Sequence, residues 1–182
     1  MKKSPTELLK KNKNTIDEVS TLEALTLMLD DQKIAIEAVH KQLKKFNVII
    51  KMLLKHFKTN PSGRLIYCGS GTSARIGVQD GVELFPTFGW EKNKVDFVIA
   101  GGTKALTSSV ENSEDDKIAA KNRIMKLKVN SSDVVIGLAA SGNTPFTYAA
   151  LKTAKELKAK VVVISNNPNG LILKLSRYKI IL

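Results

Sequence analysis

Two short stretches carry the residue types that handle phosphate. Gly69-Ser70-Gly71-Thr72-Ser73 closes the apolar run RLIYCG, and Ala140-Ser141-Gly142-Asn143-Thr144-Pro145 closes DVVIGLAASG. In each, glycine lets the backbone come close to an anion, and hydroxyls supply uncharged donors. The helix-capable segment that follows would turn the positive end of its dipole toward the ligand. One such loop reads equally well as a turn; two at the ends of strand-like runs favour phosphate binding. The candidate phosphate-binding residues are Ser70, Gly71, Thr72 and Ser73 in the first loop, and Ser141, Gly142, Asn143 and Thr144 in the second. The chain has no Walker lysine and no dinucleotide fingerprint with its ribose-binding acid, so the phosphate is expected on a small metabolite.

Between the two loops lie acidic residues of chemical interest. Glu83 lies ahead of the apolar LFPTFGW, and Glu111, Glu114, Asp115 and Asp116 cluster in VENSEDD. By residue type alone, Glu83 reads as an ordinary helix acid, and the cluster as one that favours a helix N-terminus. Arg75, just past the first loop, is placed to neutralise an anion. No His and Cys spacing of the metal-ligand kind is present, so neither a metal nor another cofactor is expected. His40 and His56 read as surface or interface residues, and Trp90 as packing. The single cysteine, Cys68, reads as a small buried hydrophobe.

Residues of this kind need a frame. RLIYCG, DFVIAGG, DVVIGLAASG, KVVVISNN and YKIIL are strand-sized apolar runs, separated by helix-capable segments such as DDKIAAKNRIMKL and PFTYAALKTAKELKA. Alternation of this type implies βαβ units and a parallel sheet, and continuously apolar strands imply helices on both faces. The expected fold is α/β, a three-layer sandwich of about five parallel strands with an N-terminal helical arm. Residues 4–58 read as helical: Leu22, Leu25, Leu29, Ile36, Val39 and Leu43 recur at helical spacing, and FNVIIKMLLKHF continues them. Ser20 and Thr21, with Glu23 close behind, form an N-terminal cap signal. NPSGR, from Asn60, breaks the pattern. The expected organisation is an arm over 1–59 and a binding domain over 60–182.

Composition limits the alternatives. The chain has 182 residues, 43% hydrophobic and 25% charged, with a formal net charge of +12. Its lysines are spread along the sequence, aromatics are few, and no zinc-finger or RNA-motif signature is present. No nucleic-acid partner is expected, and the basic surface would attract an anionic small substrate. No apolar run reaches the length of a membrane span, and no signal-peptide pattern is present. A cytoplasmic protein with no membrane partner is expected.

The strings IDEVSTLEAL, GRLIYCGSGTSARIGVQDGVELFPTFGW, IAGG, SSVENSEDD, DVVIGLAASGNTP and ISNNP, in this order, resemble the N-acetylmuramic acid 6-phosphate etherase family. These enzymes carry a sugar isomerase (SIS) domain of flavodoxin-like type. The resemblance covers nearly the whole chain, and the block from Gly69 to Gly89 is its most specific part. It implies a carbon–oxygen lyase that cleaves the D-lactyl ether of N-acetylmuramic acid 6-phosphate to N-acetylglucosamine 6-phosphate and D-lactate, in amino-sugar catabolism and peptidoglycan recycling. It further implies Glu83 as the acid on the departing oxygen, Glu114 as the base at C2, no cofactor, and a homodimer.

The chain departs from the family pattern at Ala74, where glycine is usual, and at Asn143, where arginine is usual. The family pattern also continues past the fifth strand, so the chain is expected to be truncated at its C-terminal end, its last strand being YKIIL. The rival reading is a non-catalytic SIS module that binds or senses a sugar phosphate. A sugar-phosphate isomerase is a third.

Overall fold

A computed structural model describes Thr6 and residues 15–182; the helical reading of residues 4–14, Thr6 apart, lies outside the described residues. The described chain runs α1 (Thr21–Lys41), α2 (Leu43–Thr59), β1 (Leu65–Gly69), α3 (Gly71–Phe88), β2 (Val95–Ile99), α4 (Lys117–Lys126), β3 (Val134–Leu138), α5 (Pro145–Glu156), β4 (Lys160–Ser165) and β5 (Tyr178–Ile181). Short 3-10 turns cover Gly102–Leu106, Ser113–Asp115 and Leu171–Lys174. No described helix is long and apolar enough to cross a membrane.

All five strands are parallel, in the order β2-β1-β3-β4-β5. This is the flavodoxin-like order, in which the chain reverses direction across the sheet between β1 and β3. Successive strand residues point to opposite faces, and the sheet builds one core on each. Ile66, Cys68, Val135, Val161 and Val163 pack with Ala120 and Ile124 of α4 and with Phe146, Ala150, Leu151 and Ala154 of α5. On the other face Leu65, Tyr67, Val134, Val162 and Ile180 meet Ile49 of α2, with Phe46, Leu53, Phe57 and Leu84 against them. The three-layer sandwich expected from the sequence is therefore present. Cys68 is 1% exposed, and burial pushes its thiol well above the ordinary range, as suits a packed hydrophobe.

The helical arm differs from its sequence reading in three ways. First, Gln42 divides it: the residue closes α1 and opens α2 with φ −98° and ψ −1°. Second, α2 is a layer of the sandwich. Third, His56 is buried, its Nε2 2.9 Å from the Ser132 carbonyl oxygen at the foot of β3. Helical spacing puts His56 on the same face as Ile49 and Phe57, which is why the sheet covers it. The N-terminal cap is as read, with Ser20 Oγ accepting from Glu23 N.

One ion cluster locks the strands that form the reversal. Arg64, just before β1, donates to both carboxylate oxygens of Asp133 at 3.1 and 2.8 Å, to Asp96 of β2 at 3.0 Å and to the Leu127 carbonyl at 2.9 Å. Asp133 is 1% exposed and also accepts from the backbone N–H groups of Arg64 and Asn130. The cluster lies at the N-terminal ends of the strands, opposite the loops of interest.

Candidate functional site

Gly69 of β1 pairs with Leu138 of β3, so the two serine-bearing loops leave adjacent strands at the same edge. Adjacent strands stand about 4.8 Å apart. This is the strand-reversal crevice where open α/β sheets bind ligands. Both following helices begin here, and neither is capped by a side chain: Ser70 before α3 and Thr144 before α5 make no capping hydrogen bond. By contrast Ser20 caps α1 and Asp116 caps α4. The first N–H groups of α3 and α5 are thus left to an outside acceptor.

The first loop opens into a cavity of about 410 Å³ whose walls include Ser70, Gly71, Arg75, Ser108, Ser109 and Glu114. Ser70 Oγ donates to Glu114 Oε2 over 3.4 Å, the contact that joins the loop after β1 to the turn before α4. Asp116 takes the capping role at α4, accepting from Ala119 N at 2.8 Å, so the acidic cluster divides: one member caps, another faces the cavity. Arg75 donates from Nε to the Ala105 carbonyl at 2.9 Å, which fixes a cation in the cavity wall. Gly71 has φ +54°, a left-handed conformation that costs glycine little.

The second loop is braced from beyond β4. Asn167, 2% exposed, donates from Nδ2 to the Ser141 carbonyl at 2.8 Å. Ser165 Oγ donates to the Ala140 carbonyl at 3.2 Å. Asn143 Oδ1 accepts from Leu171 N at 3.0 Å, so what its carboxamide offers an anion is the NH₂ side. Gly142 has φ +67°, and a Cβ there would lie 2.6 Å from Gly170 Cα and 2.7 Å from Ser165 Oγ. Glycine is required twice over at this point.

The sequence-read residues do not all converge. Ser70, Gly71 and Glu114 share the cavity, and Ser141 to Thr144 stand on the neighbouring strand end. Thr72 is exposed and Ser73 half-buried on the first turn of α3. Glu83 is exposed and farther down α3; at 1.5 Å per residue it stands roughly 18 Å along the axis from Gly71. Ala74 is 3% exposed and is not part of the cavity wall, so its methyl is packed inward. Ser108 and Ser109 were not singled out in the sequence, although the hydroxyl-rich LTSSVEN signals them. The bracing by Ser165 and Asn167 had its signal in SNNPNG. Among the described residues no group of three or more His, Cys, Asp or Glu is placed to hold a metal ion.

Comparison with known proteins places this arrangement. The model of the glucokinase regulatory protein N-terminal SIS domain matches residues 45–155. The chain is 41% identical over 181 residues to the N-acetylmuramic acid 6-phosphate etherase of Staphylococcus saprophyticus, covering 99% of this chain and 60% of that protein. It is 41% identical over 174 residues to N-acetylmuramic acid 6-phosphate etherase 2 of Enterococcus faecalis, covering 94% and 58%. The chain thus spans about 60% of the length of these curated relatives. Among solved structures it superposes on a phosphoheptose isomerase from Francisella tularensis with a TM-score of 0.69 at 16% identity, over 89% of this chain and 86% of that one. A phosphoheptose isomerase from Neisseria gonorrhoeae gives 0.65 at 17%, over 90% and 87%. These two likenesses concern the fold.

Proposed function

We propose that this chain, which belongs to the SIS-domain family, binds a sugar phosphate at the β1/β3 edge and serves as the SIS core of a lyase that cleaves the D-lactyl ether of N-acetylmuramic acid 6-phosphate. The observation that carries the reading is the position of Glu114. Its carboxylate stands against Ser70 in a serine-lined cavity, at the uncapped start of α3.

The phosphate takes the free N–H groups of α3 and α5 and the hydroxyls of both loops. With the sugar open, the C1 aldehyde acidifies the proton at C2. Glu114 removes that proton, the electron pair forms a C2–C3 double bond, and the C3–oxygen bond breaks. An acid protonates the departing lactate oxygen. Water then adds across the double bond, hydroxyl to C3 and proton to C2, giving N-acetylglucosamine 6-phosphate. Glu83 is the acid by family resemblance. A glutamate side chain does not span the length of α3 that separates it from its own loop, so Glu83 acts in the cavity of a second copy. On this reading the catalytic unit is a homodimer.

A second reading has one observation in its favour: Glu83 lies away from its own chain's cavity. On that reading the chain binds sugar phosphate without turnover. Incubation with N-acetylmuramic acid 6-phosphate in deuterated water separates the two. The lyase reading expects deuterium at C2 and release of D-lactate. Saturable binding with neither event would leave the binding module in its place.

A further inference from the structure

We infer that Arg75 sets the specificity of the site, its guanidinium taking the carboxylate of the substrate's D-lactyl group. The inference rests on the lyase reading above and deepens it. Arg75 is half-buried on α3. Its Nε donates to the carbonyl of Ala105 at 2.9 Å, and Ala105 is 6% exposed. A guanidinium has further N–H donors on both Nη atoms. Among the described residues nothing pairs with them, and Arg75 makes no ion pair. Glu111 and Glu114 share the cavity wall with it, where Arg75 is the only cation among the described residues. Arg64, by contrast, is paired with both Asp133 and Asp96. A half-buried cation without a partner favours a ligand that brings one.

The 6-phosphate has its place elsewhere. The uncapped starts of α3 and α5 follow the adjacent strands β1 and β3. Arg75 stands about 6 Å farther along α3, at 1.5 Å per residue. It is tied to the turn Gly102–Leu106, which follows β2, and β2 and β3 flank β1 on opposite sides. The free cation is therefore held toward the β2 side of β1, away from the second loop. Glu114 belongs to the same side, in the segment between β2 and α4.

The substrate of the proposed reaction carries a second anion in the matching place. Glu114 removes the proton at C2, the lactyl ether is on the neighbouring C3, and the lactyl group ends in a carboxylate. A guanidinium fixed through Nε still offers a planar pair of N–H groups to a carboxylate. Such a contact selects the ether substrate and orients its leaving group. N-acetylglucosamine 6-phosphate, with a hydroxyl at C3, brings nothing to Arg75.

Calorimetric titration tests this with three ligands: N-acetylmuramic acid 6-phosphate, its neutral lactyl amide, and N-acetylglucosamine 6-phosphate. The unaltered chain should bind the acid roughly 10–100-fold more tightly than the other two, the scale of hydrogen bonds between charged groups. Arg75→Met should abolish that preference and leave the affinity for N-acetylglucosamine 6-phosphate unchanged. Equal binding of acid and amide by the unaltered chain would overturn the inference. So would an equal loss for all three ligands in Arg75→Met, which would make Arg75 a structural or phosphate contact. Deuterium incorporation at C2 and lactate release by the unaltered chain report the lyase reading separately. If both occur while acid and amide bind alike, the lyase stands and the role of Arg75 falls. If neither occurs but the preference exists and disappears in Arg75→Met, the role of Arg75 stands and the lyase falls.

Discussion

Ser70 stands where a serine would ordinarily cap a helix, yet its hydroxyl turns to Glu114. The helix start is left without a side-chain cap, and the serine holds the carboxylate beside it. Replacing Ser70 or Ser141 by Ala should weaken sugar-phosphate binding by about 1–3 kcal/mol, the scale of a hydrogen bond to a charged group; isothermal titration reads this directly, and unchanged affinity in both would remove the phosphate site from these loops. The two glutamates should fail differently. Glu83→Ala should still exchange the C2 proton with deuterated solvent while releasing little lactate, whereas Glu114→Ala should do neither, each slowing turnover roughly 10²–10⁴-fold.

Tyr67 gives a pH test away from the site. Burial first, then its hydrogen bond to Asp80 Oδ2 at 2.5 Å, raises the phenol above its ordinary 10.0. A raised folded-state value means the stabilisation is fully present below about pH 10 and is lost as pH rises through the folded value. Tyr67→Phe should therefore flatten the alkaline limb of a melting-temperature profile. An identical limb in both proteins would assign it to other groups.

At the scale of elements, the reversal point is held from below by Arg64 and shaped from above by glycine. Arg64→Ala would leave Asp133, 1% exposed, without its cation, at a cost of about 3–5 kcal/mol. A denaturant titration showing less than about 1 kcal/mol would mean that water replaces the guanidinium. α3 lies close on the sheet through Gly77 and Gly81. A Cβ at Gly77 would come 2.5 Å from Leu138 Cδ1, and one at Gly81 2.7 Å from Phe97 Cε1. Gly81→Ala should lower the melting temperature by several degrees, corresponding to the 1–3 kcal/mol typical of overpacking. Such close approach lets α3 begin at the Ser70 loop and still cover Tyr67 and Phe97.

At the scale of the whole molecule, the proposed lyase reading would make turnover a property of two chains, because Glu83 stands outside the cavity that holds Glu114. If Glu83 acts in a second copy's cavity, mixing inactive Glu83→Ala and Glu114→Ala proteins should restore lactate release. One of the two sites of each mixed dimer then holds both carboxylates. Absence of rescue after subunit exchange, with mixed dimers shown to form, would place both groups in one chain.

The sequence by itself determined the alternation of apolar strands and helices, the parallel sheet and the two serine loops. These follow from local periodicity and from glycine and proline at fixed places, which act over a few residues. It also held the helical spacing of Leu22, Leu25, Leu29, Ile36, Val39 and Leu43. Only the tertiary structure decided that β1 and β3 are neighbours, that Glu114 meets Ser70 across the turn before α4, and that Glu83 stands apart from both. It alone showed His56 under the sheet and Asn167 behind Ser141. Those relations join residues tens of positions apart. Strand order and helix packing set them, and no short window of sequence carries that information.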